Sequence, residues 1–266
     1  MNLNKKAGLA LVGVLAAAAL PVEAATPVYR QQVSGVNLAG LVPPIATAAA
    51  SFGSPLAFGP SWGEAGAGVF VQTLDGVEDD ADGAAGLVFG LGNAKKAVGL
   101  EVGLALSSLI DSSNAPGGFG DNGSFSAKLH TALPGGAAFA VGVNSFGRFG
   151  DSNDAGKSSI YAVGTKVVGL PVAGTKKNLV LNLGIGDQDF AEPGEDGVNL
   201  FGSAALYFTQ QVSAIVDYTG RFTNLGVSVA PFKSLPLTAT IGALNVGDRY
   251  DAGTEYAISV GYGVKF

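Results

Sequence analysis

The chain is patterned with a period of two from residue 64 to its end. In the closing stretch, "TEYAISVGYGVKF", large apolar residues occupy every second position from Tyr256 to Phe266, with small or polar residues between them. The stretches "AVGLEVGLALSSL" and "SFSAKLHTAL" repeat this alternation. A period of two places successive side chains on opposite faces of a strand, so the pattern predicts two-faced β-strands rather than helices.

Twelve such segments follow one another along the chain. They span residues 64–74, 84–91, 97–110, 123–133, 137–149, 158–168, 178–186, 198–208, 212–221, 225–230, 237–246 and 254–266. Strands of about 9–11 residues are long enough to cross a bilayer at a tilt, and most of the segments have about this length. The segments therefore suit a sheet with one face in lipid.

The connections between the segments alternate in length and charge. The even-numbered ones, such as "GNAKK", "PGG" and "GLPVAGTKK", are short and carry no acid. Five of the odd-numbered ones, among them "DGVEDDADG" and "DQDFAEPGEDG", hold 16 of the chain's 21 acidic residues, and "FTN" at 222–224 is the short exception. A soluble sandwich has no reason to sort charge by loop parity. The pattern predicts an all-β fold, a closed antiparallel up-and-down transmembrane β-barrel of about 12 strands.

The N-terminus indicates export. Residues 1–24 combine Lys5 and Lys6, an apolar run and a small-residue exit, which is typical of a cleaved signal peptide. This divides the chain into the signal peptide at 1–24, a segment at 25–63 that is periplasmic or plugs the lumen, and the barrel at 64–266. The chain has no cysteine, which excludes a disulfide scaffold, and its net charge of −6 argues against a nucleic-acid partner.

At its C-terminus the chain resembles the Gram-negative outer-membrane β-barrel proteins. The terminal "YGVKF", with Phe266 last and apolar residues two, four, six and eight positions earlier, is similar to the signature that the barrel-assembly machinery reads. The stretches "SFGSPLAFGPSWGEA" and "LGVSVAPFKSLPL" resemble small barrels of cyanobacterial type. The resemblance implies a location in the bacterial outer membrane and three partners: its lipid, its lipopolysaccharide and, through Phe266, the assembly machinery.

Aromatic residues are expected in girdles at both edges of the lipid-facing surface. Phe208, Phe232, Tyr262 and Phe266 fall near the periplasmic boundary. The outer boundary would carry Phe125, Tyr218, Phe222 and Tyr256. Such rings prefer membrane–water interfaces because they are apolar with a polar rim or edge.

Catalysis and metal binding are not expected. Twelve-stranded outer-membrane phospholipases use a Ser–His pair, but hairpin pairing sets His130, the only histidine, opposite about Ala140 and roughly 15 Å from Ser145. The acidic loops could ligate Ca²⁺, yet they lack the EF-hand spacing and are more typical of solvated loops. We therefore predict a protein that is not an enzyme and needs no cofactor.

The lumen is where function is expected. The alternation predicts that the inward residues are mainly Gly, Ala, Ser and Thr, with eleven larger polar or charged residues that line the pore. These are Glu101, Lys128, His130, Asn144, Arg148, Lys166, Asn182, Asp217, Arg221, Glu255 and Lys265. Confined charges are often paired, as Glu101 with Lys128 would be.

Two functions remain open. The first is a channel for passive diffusion of small hydrophilic solutes, with a preference for cations because its mouth is acidic. The alternative is a closed structural or surface-interaction barrel whose segment at 25–63 blocks the lumen.

Overall fold

The computed structural model describes residues 47–73, 81–106, 122–150, 157–192, 195–251 and 253–266, so the expected signal peptide lies outside the described residues. The described chain forms twelve β-strands. They are β1 (Glu64–Thr73), β2 (Ala81–Gly92), β3 (Gly99–Leu106), β4 (Gly123–Leu133), β5 (Ala137–Phe149), β6 (Ser159–Val172), β7 (Thr175–Gly186), β8 (Asn199–Thr209), β9 (Val212–Tyr218), β10 (Thr223–Val229), β11 (Leu237–Leu244) and β12 (Glu255–Lys265). None of the described residues forms a helix long and apolar enough to cross a bilayer.

The strands close into one barrel. Each strand pairs antiparallel with its neighbours in sequence, and β1 pairs with β12 through contacts such as Ala67↔Tyr262. The predicted closed up-and-down barrel of twelve strands is therefore confirmed. β4 and β5 have the predicted bounds, and His130 lies opposite Ala140 as expected. Closure leaves no free sheet edge, which satisfies the backbone hydrogen bonds along β1 and β12.

The two ends of the barrel differ in their connections. We call the end with the β2–β3, β4–β5, β6–β7, β8–β9 and β10–β11 connections the short-turn end, and the opposite end the long-loop end. The start of β1 and the end of β12 lie at the short-turn end. The β6–β7 connection is shorter than predicted, because both strands extend to a two-residue turn at Ala173 and Gly174, with φ angles of 47° and 75°. Such a turn matches the twist of the flanking strands.

The outer face of the barrel is apolar and uncovered. Ile160, Leu183 and Ile241 are 63%, 64% and 58% exposed, and no second layer covers them in the described part of the chain. Exposed apolar side chains of this number are costly in water and favourable in lipid. Phe222 is a correction to the expected outer girdle: it is buried in the β9–β10 connection, where its ring meets Tyr250 edge-on.

The inner face is less uniform than the sequence predicts. Small and polar residues dominate it, but Phe70, Tyr161, Phe201, Ile215 and Leu244 also point inward and are buried. Large apolar side chains on an inner wall need apolar partners to avoid exposure to water. Those partners come from the chain that precedes β1.

Candidate functional site

Residues 47–61, which we call the inner segment, lie inside the barrel. They make hydrogen bonds to side chains on β4, β6, β7, β8, β9, β10 and β11. β4 and β10 stand on opposite sides of a twelve-strand barrel, so one short segment can reach both only through the lumen. Residues 25–46, the first part of the N-terminal segment predicted at 25–63, lie outside the described residues.

The inner segment enters at the short-turn end, rises and returns. Ala48 N donates to the Gln210 carbonyl in the β8–β9 turn (3.0 Å), which places the entry at the short-turn end. Residues 51–54 form the apex beside Asp217, one residue before β9 ends at the long-loop end. Trp62 N then donates to the Gly92 carbonyl (2.9 Å), back at the short-turn end where β1 begins.

Asp217 anchors the apex. Its carboxylate accepts four hydrogen bonds: from Ser51 Oγ (2.5 Å), Phe52 N (3.0 Å), Ser54 Oγ (2.7 Å) and Ser54 N (3.2 Å). Asn224 on β10 adds a fifth contact to the apex, donating to the Phe52 carbonyl at 3.2 Å. The Asp217 carboxylate is fully buried, so these donors replace the water that burial removes.

Neutral side chains hold the rising leg. The carbonyls of Thr47, Ala48, Ala49 and Ala50 each accept one hydrogen bond from an inward hydroxyl. The donors are Thr238 (2.9 Å), Tyr207 (2.7 Å), Ser213 (2.6 Å) and Ser203 (3.1 Å), respectively. Because the leg has no regular secondary structure, these hydroxyls satisfy backbone groups that would otherwise be buried without partners.

The descending leg meets charged and amide side chains. Asn182 donates to the Pro55 carbonyl (2.9 Å), and Lys128 Nζ donates to the Phe58 carbonyl (2.9 Å). His130 Nε2 lies 3.0 Å from the Pro60 carbonyl. Since a carbonyl only accepts, this contact assigns the ring proton to Nε2.

An ion pair supports this leg. Lys128 Nζ lies 2.8 Å from Glu101 Oε2, and the two residues face each other directly across β3 and β4. The predicted pairing is thus present, between neighbouring strands rather than across the lumen. Gly59 passes close to this pair: a Cβ there would lie 2.7 Å from Glu101 Oε2 and 3.0 Å from His130 Nε2. Only glycine fits this approach without displacing a neighbour.

Apolar packing fills the space around the inner segment. One cluster joins Phe52 and Leu56 of the segment to Phe70, Ile215 and Leu244 of the wall. A second cluster joins Ala57 to wall residues and to Phe190, whose ring stacks on Phe201 with centroids 4.2 Å apart. Contacts of this kind exclude water, so this part of the lumen is a packed core.

The described part of the β7–β8 connection covers part of the long-loop end. Residues 187–191 turn inward and bury Phe190 against Tyr161 and Phe201. Arg221, from the β9–β10 connection, donates to the carbonyls of Gln188 and Ala191. Asn144 Nδ2 donates to Asp189 Oδ2 at 3.3 Å. These contacts hold the connection over the mouth.

Asp189 titrates unusually in this position. Burial raises the pKa of its carboxyl to about 6, although the hydrogen bond from Asn144 and the charges of Arg221 and Arg148 act in the opposite direction. Asp189 is thus the buried acid in the described part of the β7–β8 connection whose charge changes near pH 6.

The described residues leave a space near the short-turn end. A cavity of about 510 Å³ lies between the inner segment and the walls of β6, β7 and β8. Its lining includes Leu56, Phe58, Val180 and Tyr207, with Lys176 at its rim.

The predicted pore-lining residues fall into three groups. Glu101, Lys128, His130, Asn182 and Asp217 gather around the inner segment. Asn144, Arg148, Arg221 and Glu255 lie towards the long-loop end, where Arg148 Nη2 donates to the Lys157 carbonyl at 3.3 Å. The third group, Lys166 and Lys265, lies at the short-turn end.

Lys166 and Lys265 do not line the lumen. Thr165 points inward to Asn182, so its neighbour Lys166 points outward, and Lys166 Nζ donates to the Gly135 carbonyl at the short-turn end. The prediction for Lys166 is wrong because Tyr161, Val163 and Thr165 form the inner face of β6, so the residues between them face outward. Lys265 is exposed at the same rim, with Nζ 3.7 Å from Glu64 Oε1.

Sequence reasoning missed the hydroxyl residues that hold the rising leg, because Ser and Thr on an inner wall look like simple lumen lining. The one usable signal was their partner, the small-residue run "TAAASFGS" at 47–54.

Within the described residues, no group of three or more His, Asp or Glu side chains could hold a metal ion. No protein-family model and no curated protein matches the chain.

Proposed function

We propose that the protein is an outer-membrane barrel that is closed in its resting state, and that it acts as a structural or surface-interaction protein. The observation that carries the proposal is the occupied lumen: residues 47–61 contact seven strands from within. The apolar outer face and the C-terminal resemblance support the membrane location. The five acid-rich connections predicted from the sequence join strands at the long-loop end, and we expect partners to bind there.

A channel that opens only when the inner segment moves is the second candidate. It is favoured by the cavity of about 510 Å³, which lies beside the segment near one mouth and gives it room to shift. The acidic loops would then favour cations at the other mouth. In this case the passive channel predicted from the sequence would be gated rather than permanently open.

Planar-bilayer conductance separates the two candidates. We expect the mature chain to be silent, and deletion of residues 25–61 to produce conductance because it removes what fills the lumen. Adding Phe190→Ala to the deletion should raise the conductance, since this side chain still covers part of the long-loop mouth. Deletion of residues 25–46 alone is the matched control and should stay silent, because it leaves the described contacts in place.

Stable, permanent conductance by the mature chain would contradict the closed barrel. Brief opening events under an applied voltage would favour the gated channel instead. Folding of every variant is checked by the heat-dependent shift in gel mobility that closed barrels show, so that silence of a misfolded variant is not counted. If the deletion variant does not fold, Asp217→Ala, which releases only the apex, takes its place.

A further inference from the structure

The short-turn end carries a ring of positive charge. Seven of the nine lysines in the described chain lie at this rim: Lys95, Lys96, Lys166, Lys176, Lys177, Lys233 and Lys265. Glu64 is the one acid at the rim among the described residues, and it already faces Lys265. The remaining described acids are inside the barrel or at the long-loop end. We call the seven lysines the lysine collar.

The lysine collar lies beside exposed aromatic rings. Phe208, Phe232 and Phe266, near the same end, are 48%, 49% and 70% exposed. Aromatic rings in this position mark the boundary between hydrocarbon and headgroups, and lysines beside them extend their ammonium groups into the headgroup layer. The ammonium groups of Lys95, Lys96, Lys176 and Lys233 have no partner among the described residues, so they are free to bind a ligand.

We propose that the lysine collar binds the phosphate headgroups of anionic phospholipids. The inference rests on the proposed membrane location and adds a lipid preference to it. The charges of the two partners are complementary, because the unpaired ammonium groups face a layer that contains phosphate diesters. Almost no acid lies nearby to repel these phosphates. A basic residue near an anionic membrane surface favours binding about fivefold at low salt.

The chain carries its own reporter of this contact. Trp62 is the only tryptophan, is 66% exposed and lies at the short-turn end. Its amide donates to Gly92, and Ser61 Oγ accepts from Ala94 N (3.1 Å), so the turn with Lys95 and Lys96 is fixed beside it. Its ring meets Phe89 edge-on, 5.9 Å between centroids. Tryptophan emission therefore reports on the lipid next to these two lysines.

The test is quenching of Trp62 by brominated lipids. The mature chain is reconstituted into vesicles that contain either brominated phosphatidylglycerol or brominated phosphatidylcholine at equal mole fraction. We expect phosphatidylglycerol to be enriched near Trp62 about fivefold at low salt and less at high salt, because exposed charges are screened. The double variant K95Q/K96Q should reduce the enrichment to below about twofold.

A matched variant removes two lysines elsewhere. Lys176 and Lys177 lie at the start of β7, on the far side of the barrel from Trp62 at the start of β1. K176Q/K177Q should therefore leave the enrichment at Trp62 unchanged.

Equal quenching of the parent chain by the two lipids would overturn the proposed binding of anionic headgroups by the lysine collar, and would leave the membrane location intact. A preference that survives K95Q/K96Q would also overturn it, because the lysines beside Trp62 would then not be its source. Quenching by neither lipid in a folded protein would overturn both the membrane location and the collar.

Discussion

The inner segment is anchored to the wall in two chemically opposite ways. At the apex, the wall supplies a single acceptor, Asp217, and the segment supplies four donors. On the descending leg, the wall supplies the donors, Lys128 and His130, and the segment supplies backbone carbonyls. Both anchors are buried, yet they depend on the segment to different degrees.

The difference lies in what remains if the segment leaves. Lys128 keeps Glu101 as its counter-charge, so its ammonium group stays paired. Asp217 has no ion pair among the described residues, and all four of its donors belong to the segment. If the segment leaves, Asp217 loses every protein donor and only water that enters the lumen can replace them, so the apex anchor depends entirely on the segment. We therefore expect the apex to be the stronger of the two.

Removing the apex acceptor should have the largest effect. Asp217→Ala leaves the Phe52 and Ser54 amides buried without an acceptor, while the hydroxyls of Ser51 and Ser54 keep only the Ser54 and Tyr218 carbonyls. We expect a loss of about 4 kcal/mol in the stability of the bound segment. Hydrogen exchange of residues 51–54 in the folded barrel measures this loss. Asp217→Asn keeps one acceptor oxygen and should cost about half as much. Unchanged protection of the apex in Asp217→Ala would show that the carboxylate does not hold it.

The connection over the long-loop mouth should depend on pH. The pKa of Asp189 is about 6 in the closed connection and 3.8 in an open one, so the closed form binds the proton more tightly between these values. Closure is therefore most favourable at low pH and weakens as the pH rises through 6, by at most roughly 3 kcal/mol.

Hydrogen exchange of residues 187–191 at pH 5 and pH 8, corrected for intrinsic rates, checks this pH dependence. Asp189→Asn resembles the protonated carboxyl and should make local opening independent of pH. Faster opening at pH 5 than at pH 8 would reverse the expected sign and refute the assignment.

Breaking the ion pair tests the descending leg. Glu101→Gln leaves the Lys128 ammonium with its hydrogen bond to Phe58 but without a counter-charge, and we expect a loss of about 2 kcal/mol. The double variant E101Q/K128Q removes both charges and should recover part of the loss. Thermal unfolding, followed by the gel-mobility shift, compares the three proteins. A single variant as stable as the parent would mean that the pair adds nothing to this anchor.

The smallest expected effect comes from crowding the descending leg. A Cβ at Gly59 would meet Glu101 Oε2 at 2.7 Å, so Gly59→Ala should push the leg from the wall at a cost of about 1 kcal/mol. At Gly164 the one nearby atom is the Ala138 carbonyl oxygen at 4.0 Å, so Gly164→Ala should be tolerated. Equal melting temperatures of the two variants would argue against close passage of the leg.

The barrel could be predicted from the sequence because its signals are local. Alternation fixes which residues share a face, and the closing strand "TEYAISVGYGVKF" shows it clearly. Alternation fails where both faces are apolar, as around Phe70 in "GVFVQ" and Ile215 in "SAIVDY". The inward side chains there pack on the inner segment, and a strand pattern does not show which of two apolar faces has that partner.

The path of the inner segment could not be predicted for a different reason. Its contacts with the wall join backbone groups to single side chains 70 or more residues away, as between Ala49 and Ser213, and no periodicity records such pairs. The pair Glu101 and Lys128 was predictable because it lies in direct register on neighbouring strands. Asp217 was correctly placed on the inner face, but its donors lie in a segment without a regular pattern.

Thiol accessibility tests the occupied lumen most directly, because the chain has no cysteine of its own. Ala57, in the inner segment, is fully buried against the wall, whereas Thr175 is exposed at the start of β7, beside the β6–β7 turn. With single cysteines at these positions in the folded, membrane-inserted protein, we expect a small polar maleimide to label Thr175→Cys within minutes and Ala57→Cys at least about a hundredfold more slowly, as slow local opening requires. Labelling of both at similar rates would place the inner segment in water and contradict the closed barrel.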